Sequence, residues 1–231
     1  MIRVRGQLFI PEFIEGNVAA FDEVESRHII RVLRKKTGDT LYFTDGKGTL
    51  FRGEILQAGK NNVTASITER EVFPEPEKKL HVFIAPPKSF DRFAVFLEKA
   101  VELGVWSVTP VISRFSERKK INTEKMKKIA LSAVKQSLRV YAPAINPMRK
   151  LEEIFTADYP VYAALCDADP LSVRQFAASE EAGIIIGPEG GFSPEEKDRF
   201  ARHGIQAVGL GVNRLRTETA GIAAVCRFYQ P

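Results

Sequence analysis

The sequence predicts an α/β protein in two parts: a small, partly open β-barrel, then a mostly parallel sheet covered by helices on both faces. Three observations carry this expectation. The first third consists of short stretches rich in β-branched and aromatic residues, separated by turn signals. Residues 71–79, EVFPEPEKK, then concentrate proline and charge as an interdomain linker does. Beyond them, short apolar runs alternate with segments of helical period, the rhythm of a parallel sheet buried on both sides.

In the first part RVRGQLFI, LYFTDGKGTLFRGEIL and NNVTASITE read as strands, with Asp45-Gly46 and Gly48 marking a hairpin turn within the second stretch. ESRHIIRVLRKKTGD reads as one short helix, with Ile29 and Leu33 at i, i+4 and Gly38 past its end. After the linker, LHVFIA is a strand. The helix from about Ser89 to Leu103 sets Phe93, Phe96, Leu97, Ala100 and Val101 on one face and stops at Gly104. VWSVTPVI is the next strand. A helix from about Thr123 to Leu138 buries Met126, Ile129, Ala130, Ala133 and Val134, and turns Lys128, Lys135 and Arg139 outward. VYAALC, GIIIG and QAVGL are further strands, with helices after Pro170, from Pro194, and from about Thr217 to Phe228.

Composition narrows the function classes. No stretch approaches the roughly 18 apolar residues of a membrane span, and MIRVRGQLFI has no signal-peptide core. A cytoplasmic protein with no membrane partner is expected. Cys166 and Cys226 are far apart and lack metal-type spacing, so buried thiols in a reducing compartment are expected. The net charge of +5 is unevenly spread. Residues 1–72 hold 11 basic and 10 acidic side chains, residues 73–150 hold 16 and 7, and residues 151–231 hold 7 and 12. The excess therefore lies in the middle, where Arg114, Arg118, Lys119, Lys120, Lys125, Lys127, Lys128, Lys135 and Arg139 face only Glu117 and Glu124. Such a stripe suits a polyphosphate; a solvated helix face is the alternative.

Three apolar strands end in unusual loops: VYAALC before Asp167, IIIG before Pro188-Glu189-Gly190-Gly191, and VGLG before Val212-Asn213-Arg214. Ligands of parallel α/β sheets bind outside the carboxyl ends of strands, so the three loops are candidates for one site. Ser193, Pro194 and Glu196 follow the grammar of a helix start and need no other reading. Gly187, Gly190 and Gly191 are not explained that way; they permit backbone conformations and close approaches that a Cβ forbids. No G-x-G-x-x-G follows a strand and no P-loop lysine is present, which disfavours a nucleotide phosphate cradle. No Cys or His pattern offers a metal site, and no G-x-S-x-G elbow supports a serine hydrolase. In LGVNRLRTETAGIAAVC, Arg214, Arg216, Thr217, Glu218 and Thr219 open an apolar helix. Capping by Thr217 and an Arg216–Glu218 ion pair stand beside a site role for these residues.

Together, IIIGPEGGFSPEE and LGVNRLRTETA resemble the ribosomal RNA small-subunit methyltransferase E family, which methylates N3 of a uridine in 16S ribosomal RNA. The likeness runs through Arg3 and Arg5, HIIRVLRKKTGD, DGKG, PPK, LEKAVELGV and QSLR, and so spans the chain. It implies a PUA-like RNA-binding β-barrel over residues 1–72 and a trefoil-knotted SPOUT methyltransferase domain over residues 73–231. It also implies a homodimer, S-adenosylmethionine as cofactor and no metal. Carried over residue by residue, the cofactor would meet Leu165, Cys166, Ile186, Gly187, Pro188, Glu189, Gly190, Leu210, Gly211, Leu215, Arg216, Thr217 and Thr219. RNA would meet Arg3, Arg5, His28, Arg31, Arg34, Lys88, Gln136 and Arg139. Arg216 and Glu218 are the candidate catalytic groups. The chain departs from the family pattern at Lys135, where a glutamate is usual, and at Asn213-Arg214. The alternatives from other classes are a non-catalytic RNA-binding protein of the ribosome and an enzyme acting on a free nucleotide.

Overall fold

The computed structural model describes residues 2–59 and 61–230. They divide into two compact units, one of residues 1–75 with Val134–Ala142, the other of residues 76–133 with 143–231. The segment 134–142, part of the second domain on the sequence reading, thus groups with the first unit.

In the first unit β1 (Leu8–Phe9), β2 (Phe13–Glu15), β3 (Val18–Phe21), β4 (Thr40–Thr44), β5 (Thr49–Ala58) and β6 (Val63–Val72) form one sheet. Its order is β1-β4-β5-β6-β3-β2, antiparallel except for β1 against β4. Alternate residues point inward, so Leu41, Phe43, Phe51, Ile55, Val63, Ala65 and Ile67 share one core with Phe9, Phe21 and Ile29. Phe43 stacks on Phe51 with ring centroids 5.2 Å apart. The hairpin turn is held by Asp45, whose Oδ1 accepts from the Lys47 and Thr49 amides.

Three expectations for this unit need correction. RVRGQLFI is strand only at β1, and the β2–β3 hairpin around Gly16-Asn17 was not foreseen. ESRHIIRVLRKKTGD is not one α-helix: α1 is Glu23–Arg27, and His28–Val32 continues as a π-helical turn. In that turn Ile29 is fully buried and Val32 is exposed.

The second unit carries a wholly parallel sheet built from β7 (Lys79–Ile84), β8 (Ser107–Ile112), β9 (Ala144–Ile145), β10 (Arg149–Lys150), β11 (Val161–Ala164), β12 (Glu181–Ile186) and β13 (Gln206–Val208). The order is β10-β8-β7-β12-β11-β13, with β9 also beside β8. Both faces are buried, which is why β12 reads as a continuous apolar run and β7 as one broken only by His81. Phe83, Ala163 and Ile185 point to one face, onto Leu151, Ile154, Phe192 and Phe200. The other face is covered by α2 (Phe90–Leu103), α4 (Val173–Ala178) and α6 (Thr217–Tyr229). Gly221 of α6 lets the Phe96 ring of α2 approach so closely that a Cβ there would lie 2.6 Å from it. α3 (Thr123–Gln136) and α5 (Pro194–Arg202) complete the helices. The short β9 and β10 lack any apolar run and were not expected.

Candidate active site

β11, β12 and β13 are adjacent and parallel, so their carboxyl ends bring residues 165–168, 187–193 and 209–216 to one edge of the sheet. The first two loops and the entrance of α6 line a cleft of about 630 Å³. Its wall includes Leu165, Cys166, Ile186, Gly187, Pro188, Glu189, Gly190, Leu215, Arg216 and Thr217. A smaller adjoining recess is lined by Leu210, Gly211 and Asn213 and shares Leu165, Cys166 and Leu215.

Hydrogen bonds tie the second and third loops to one another. The Thr217 hydroxyl, buried, donates to the Gly187 carbonyl at 3.1 Å. The Arg214 guanidinium donates to the Glu189 carbonyl at 2.8 Å. Within the second loop the Gly191 amide closes a turn on the Pro188 carbonyl, with Gly191 at a φ of 73° that favours glycine. Gly190 is pressed from outside: a Cβ there would lie 3.0 Å from the Cβ of Phe115. The loop stops at α5 with a capping box, the Ser193 hydroxyl accepting from the Glu196 amide and the Glu196 carboxylate accepting from the Ser193 amide. Glu196 does more than cap, because its other oxygen accepts from the Arg114 amide at 2.8 Å. On the cleft wall Lys197 donates to Asp167 at 2.8 Å, and that bond holds the Asp167 carboxyl below the usual carboxylate range.

Several expectations are revised by this geometry. Thr217 does not cap α6; Arg216 occupies the cap position without a side-chain cap bond, and Thr217 joins two loops instead. Glu218 is not paired with Arg216: its Oε1 lies 3.9 Å from Arg92 Nε, and it is not on the cleft wall. Thr219 is exposed and also off the wall. Neither cysteine is buried: Cys166 is exposed and lines the cleft, and Cys226 is half-buried. Asp167, Phe192, Lys197 and Ala220 also line the cleft and were not singled out. Only Asp167 had a sequence signal, its place directly after VYAALC.

Of the residues expected to meet RNA, all but Lys88 lie in the first unit. Arg3 and Arg5 are exposed and, with Tyr42, Arg52 and Glu69, surround a recess of about 290 Å³. Arg31, Arg34 and Gln136 are exposed, and Arg139 is half-buried. His28 is half-buried, its ring edge-on to Phe9. Lys88 is exposed and pairs with Glu117 at 3.2 Å. The outward turn expected for Lys135 is not observed, since its ammonium is bonded to the buried Glu25 carboxylate. Arg118 likewise leaves the stripe, donating to the Pro87 and Lys88 carbonyls.

The cleft has the size of a small-molecule site. Bare backbone at Gly187 and Gly190 and the apolar Leu165, Ile186 and Leu215 fit a nucleoside-sized ligand held chiefly by main-chain groups. No group of three or more His, Cys, Asp or Glu is placed to hold a metal among the described residues.

The comparisons with known proteins agree with this arrangement. Residues 74–228 match the family described as RNA methyltransferase domain, and residues 21–68 match RNA methyltransferase PUA domain. The ribosomal RNA small subunit methyltransferase E of Mycobacterium bovis is 30% identical over 91% of this chain and 85% of its own. The structure of a probable rRNA-methyltransferase from Porphyromonas gingivalis is 34% identical with a TM-score of 0.84, covering 94% of both chains. The ribosomal RNA small subunit methyltransferase E of Neisseria gonorrhoeae, solved bound to S-adenosyl methionine, is 26% identical with a TM-score of 0.82, covering 96% of both chains. With one family spanning the parallel sheet and its cleft and another spanning much of the first unit, the chain belongs to the ribosomal RNA small subunit methyltransferase E family.

Proposed function

We propose that the chain methylates N3 of one uridine in 16S ribosomal RNA, with S-adenosylmethionine as methyl donor, acting as a homodimer. The observation that carries this is the single cleft lined by the loops after β11 and β12 and by the segment after β13, the last two joined to each other by Arg214 and Thr217. The Neisseria relative bound to the same donor supports the cofactor. A trefoil knot belongs to the proposal. β13 lies at the sheet edge beyond β11, yet the chain after it returns to Gly187 at the end of β12 before α6 packs on β7 and β12.

When bound, the donor supplies an electrophilic methyl group on a sulfonium. The residues of the three loops orient it for in-line attack, and orientation is most of the work in such a displacement. N3 of uridine carries a proton that must leave as the N3–methyl bond forms and the sulfonium becomes a neutral thioether. Arg216, on the cleft wall, stabilises the charge that develops on the ring carbonyls. Glu218, two residues further along the same helix start, takes the proton once its carboxylate turns from Arg92, 3.9 Å away, toward the cleft. N3 lies on the pairing edge of the base, so the target is unpaired when it reacts. Arg3, Arg5, Arg31, Arg34, Gln136 and Arg139 hold the surrounding RNA, largely through its phosphates.

The test is to delete the gene and map the small-subunit RNA by mass spectrometry and reverse-transcription stops. Loss of one 3-methyluridine is expected; an unchanged profile defeats the proposal. Saturable heat with S-adenosylmethionine in calorimetry separates it from a purely RNA-binding role. Glu218→Gln is expected to slow single-turnover methyl transfer by about 100-fold or more while leaving donor affinity intact, as removal of a general base does. A wild-type rate in that variant ends the assignment of Glu218.

A further inference from the structure

Of the sixteen phenylalanines in the chain, only Phe13 and Phe115 are exposed. Phe115 follows β8 and stands against Gly190 of the cleft loop, 47% exposed. The turn that carries it is fixed from both sides. The Ser116 amide donates to the Ser113 carbonyl at 3.2 Å, the Ser113 amide donates to Ser116 Oγ at 3.0 Å, and the two serine hydroxyls, both buried, lie 3.1 Å apart. Glu196 anchors the Arg114 amide, and Arg118 anchors the far end on Pro87 and Lys88. Residues 113–118 are thus locked by buried polar groups, while the side chains of Arg114 and Phe115 are left in solvent.

A single exposed hydrophobic side chain needs no explanation. A bare aromatic ring held beside a ligand cleft on a pre-organised turn, with a cation next to it, does have one, because ordering it in advance lowers the cost of binding. We infer that Phe115 is a stacking platform for an unpaired pyrimidine of the RNA, the target base or its neighbour, with Arg114 meeting the adjacent phosphate. This deepens the proposed function and rests on it. A base drawn out of its stack loses its neighbours and needs a new face, and aromatic side chains supply one without regard to sequence. Phe192, the aromatic residue on the cleft wall, cannot serve, because it is buried against Phe200.

Phe115→Ala, Phe115→Leu and Phe115→Tyr variants of the full chain test the inference, with RNA from the deletion strain as substrate. Phe115→Ala is expected to lower kcat/KM for RNA by about 5- to 150-fold, the range of one lost base–aromatic stack. Phe115→Tyr should restore it and Phe115→Leu should not, while calorimetric affinity for S-adenosylmethionine stays within twofold. The inference is overturned if Phe115→Ala keeps wild-type kcat/KM, or if leucine rescues as well as tyrosine. It is also overturned if the alanine variant loses donor affinity or changes oligomeric state, since Phe115 would then be a prop for Gly190 or part of an interface. Should the wild type methylate nothing, the proposed function falls. The stacking role is then still decided by fluorescence anisotropy with single-stranded oligouridine, whose affinity Phe115→Ala must lower.

Discussion

Thr217 shows how one hydroxyl decides the shape of the cleft. Its side chain, buried at the first position of α6, reaches the Gly187 carbonyl and so couples the third loop to the second. Thr217→Val keeps the volume and removes the donor. It is expected to weaken S-adenosylmethionine binding by about 2- to 12-fold, the equivalent of one net hydrogen bond of about 0.5–1.5 kcal/mol, as read by calorimetry. His81 works at the opposite edge of the sheet. It bonds to Ser107 at 2.7 Å and Glu181 at 3.0 Å and stacks on Tyr159 with centroids 4.2 Å apart. Burial lowers its pKa despite the Glu181 carboxylate, and burial with that same charge pushes the Tyr159 phenol up to about 12. Between the ordinary histidine value of 6.5 and the lowered one, the unfolded chain binds a proton that the folded chain does not. Stability should therefore be fully present above that value and fall as pH drops below it. Urea midpoints measured at about pH 8 and about pH 5 check this, and His81→Gln should flatten the difference.

At the level of elements, the last turn of α3 is tied to α1 by a charge pair. The Lys135 ammonium meets Glu25 of α1, whose Oε2 is buried without a hydrogen-bond partner among the described residues. Lys135→Met leaves that carboxylate unpaired and should cost on the order of 2 kcal/mol by urea unfolding, within the range for an unsatisfied buried group. The exchange Glu25→Lys with Lys135→Glu should recover most of the loss; failure to recover would mean that shape, not charge, governs the contact. α5 makes the same point from another side. Its capping box was legible in S-P-E-E, but the second use of Glu196, on the Arg114 amide 82 residues away in sequence, was not. Local grammar names a cap and is silent about distant partners.

For the whole molecule, donor binding and folding are linked. A ligand that binds only the folded chain stabilises it by about 2.7 kcal/mol at one hundred times its dissociation constant. Trp106, the sole tryptophan, lies in the second unit beside the sheet, with Lys79 over its ring at 4.8 Å. Its fluorescence should therefore report an unfolding transition raised by that amount when S-adenosylmethionine is present, and no shift would contradict a donor site in this unit. The alternation of apolar runs and helical periods made the parallel sheet legible, and Phe93, Phe96, Leu97, Ala100 and Val101 all proved buried as their spacing required. The strands β9 and β10 escaped because two-residue pairings carry no periodic signal.

What the sequence by itself determined was local: strand and helix periods, the Asp45 turn, the Ser193 cap, and three strand ends, two of them glycine-bearing, that belonged at one edge of a sheet. Periodicity and capping are set by neighbours a few residues apart, so they can be read from a single chain. The tertiary structure alone decided which loops touch. Gly187 with Thr217, Glu189 with Arg214, Glu196 with Arg114 and Gly190 with Phe115 pair residues 25 to 82 positions apart. Such pairings depend on the lateral order of the strands, β7-β12-β11-β13, which no local pattern encodes.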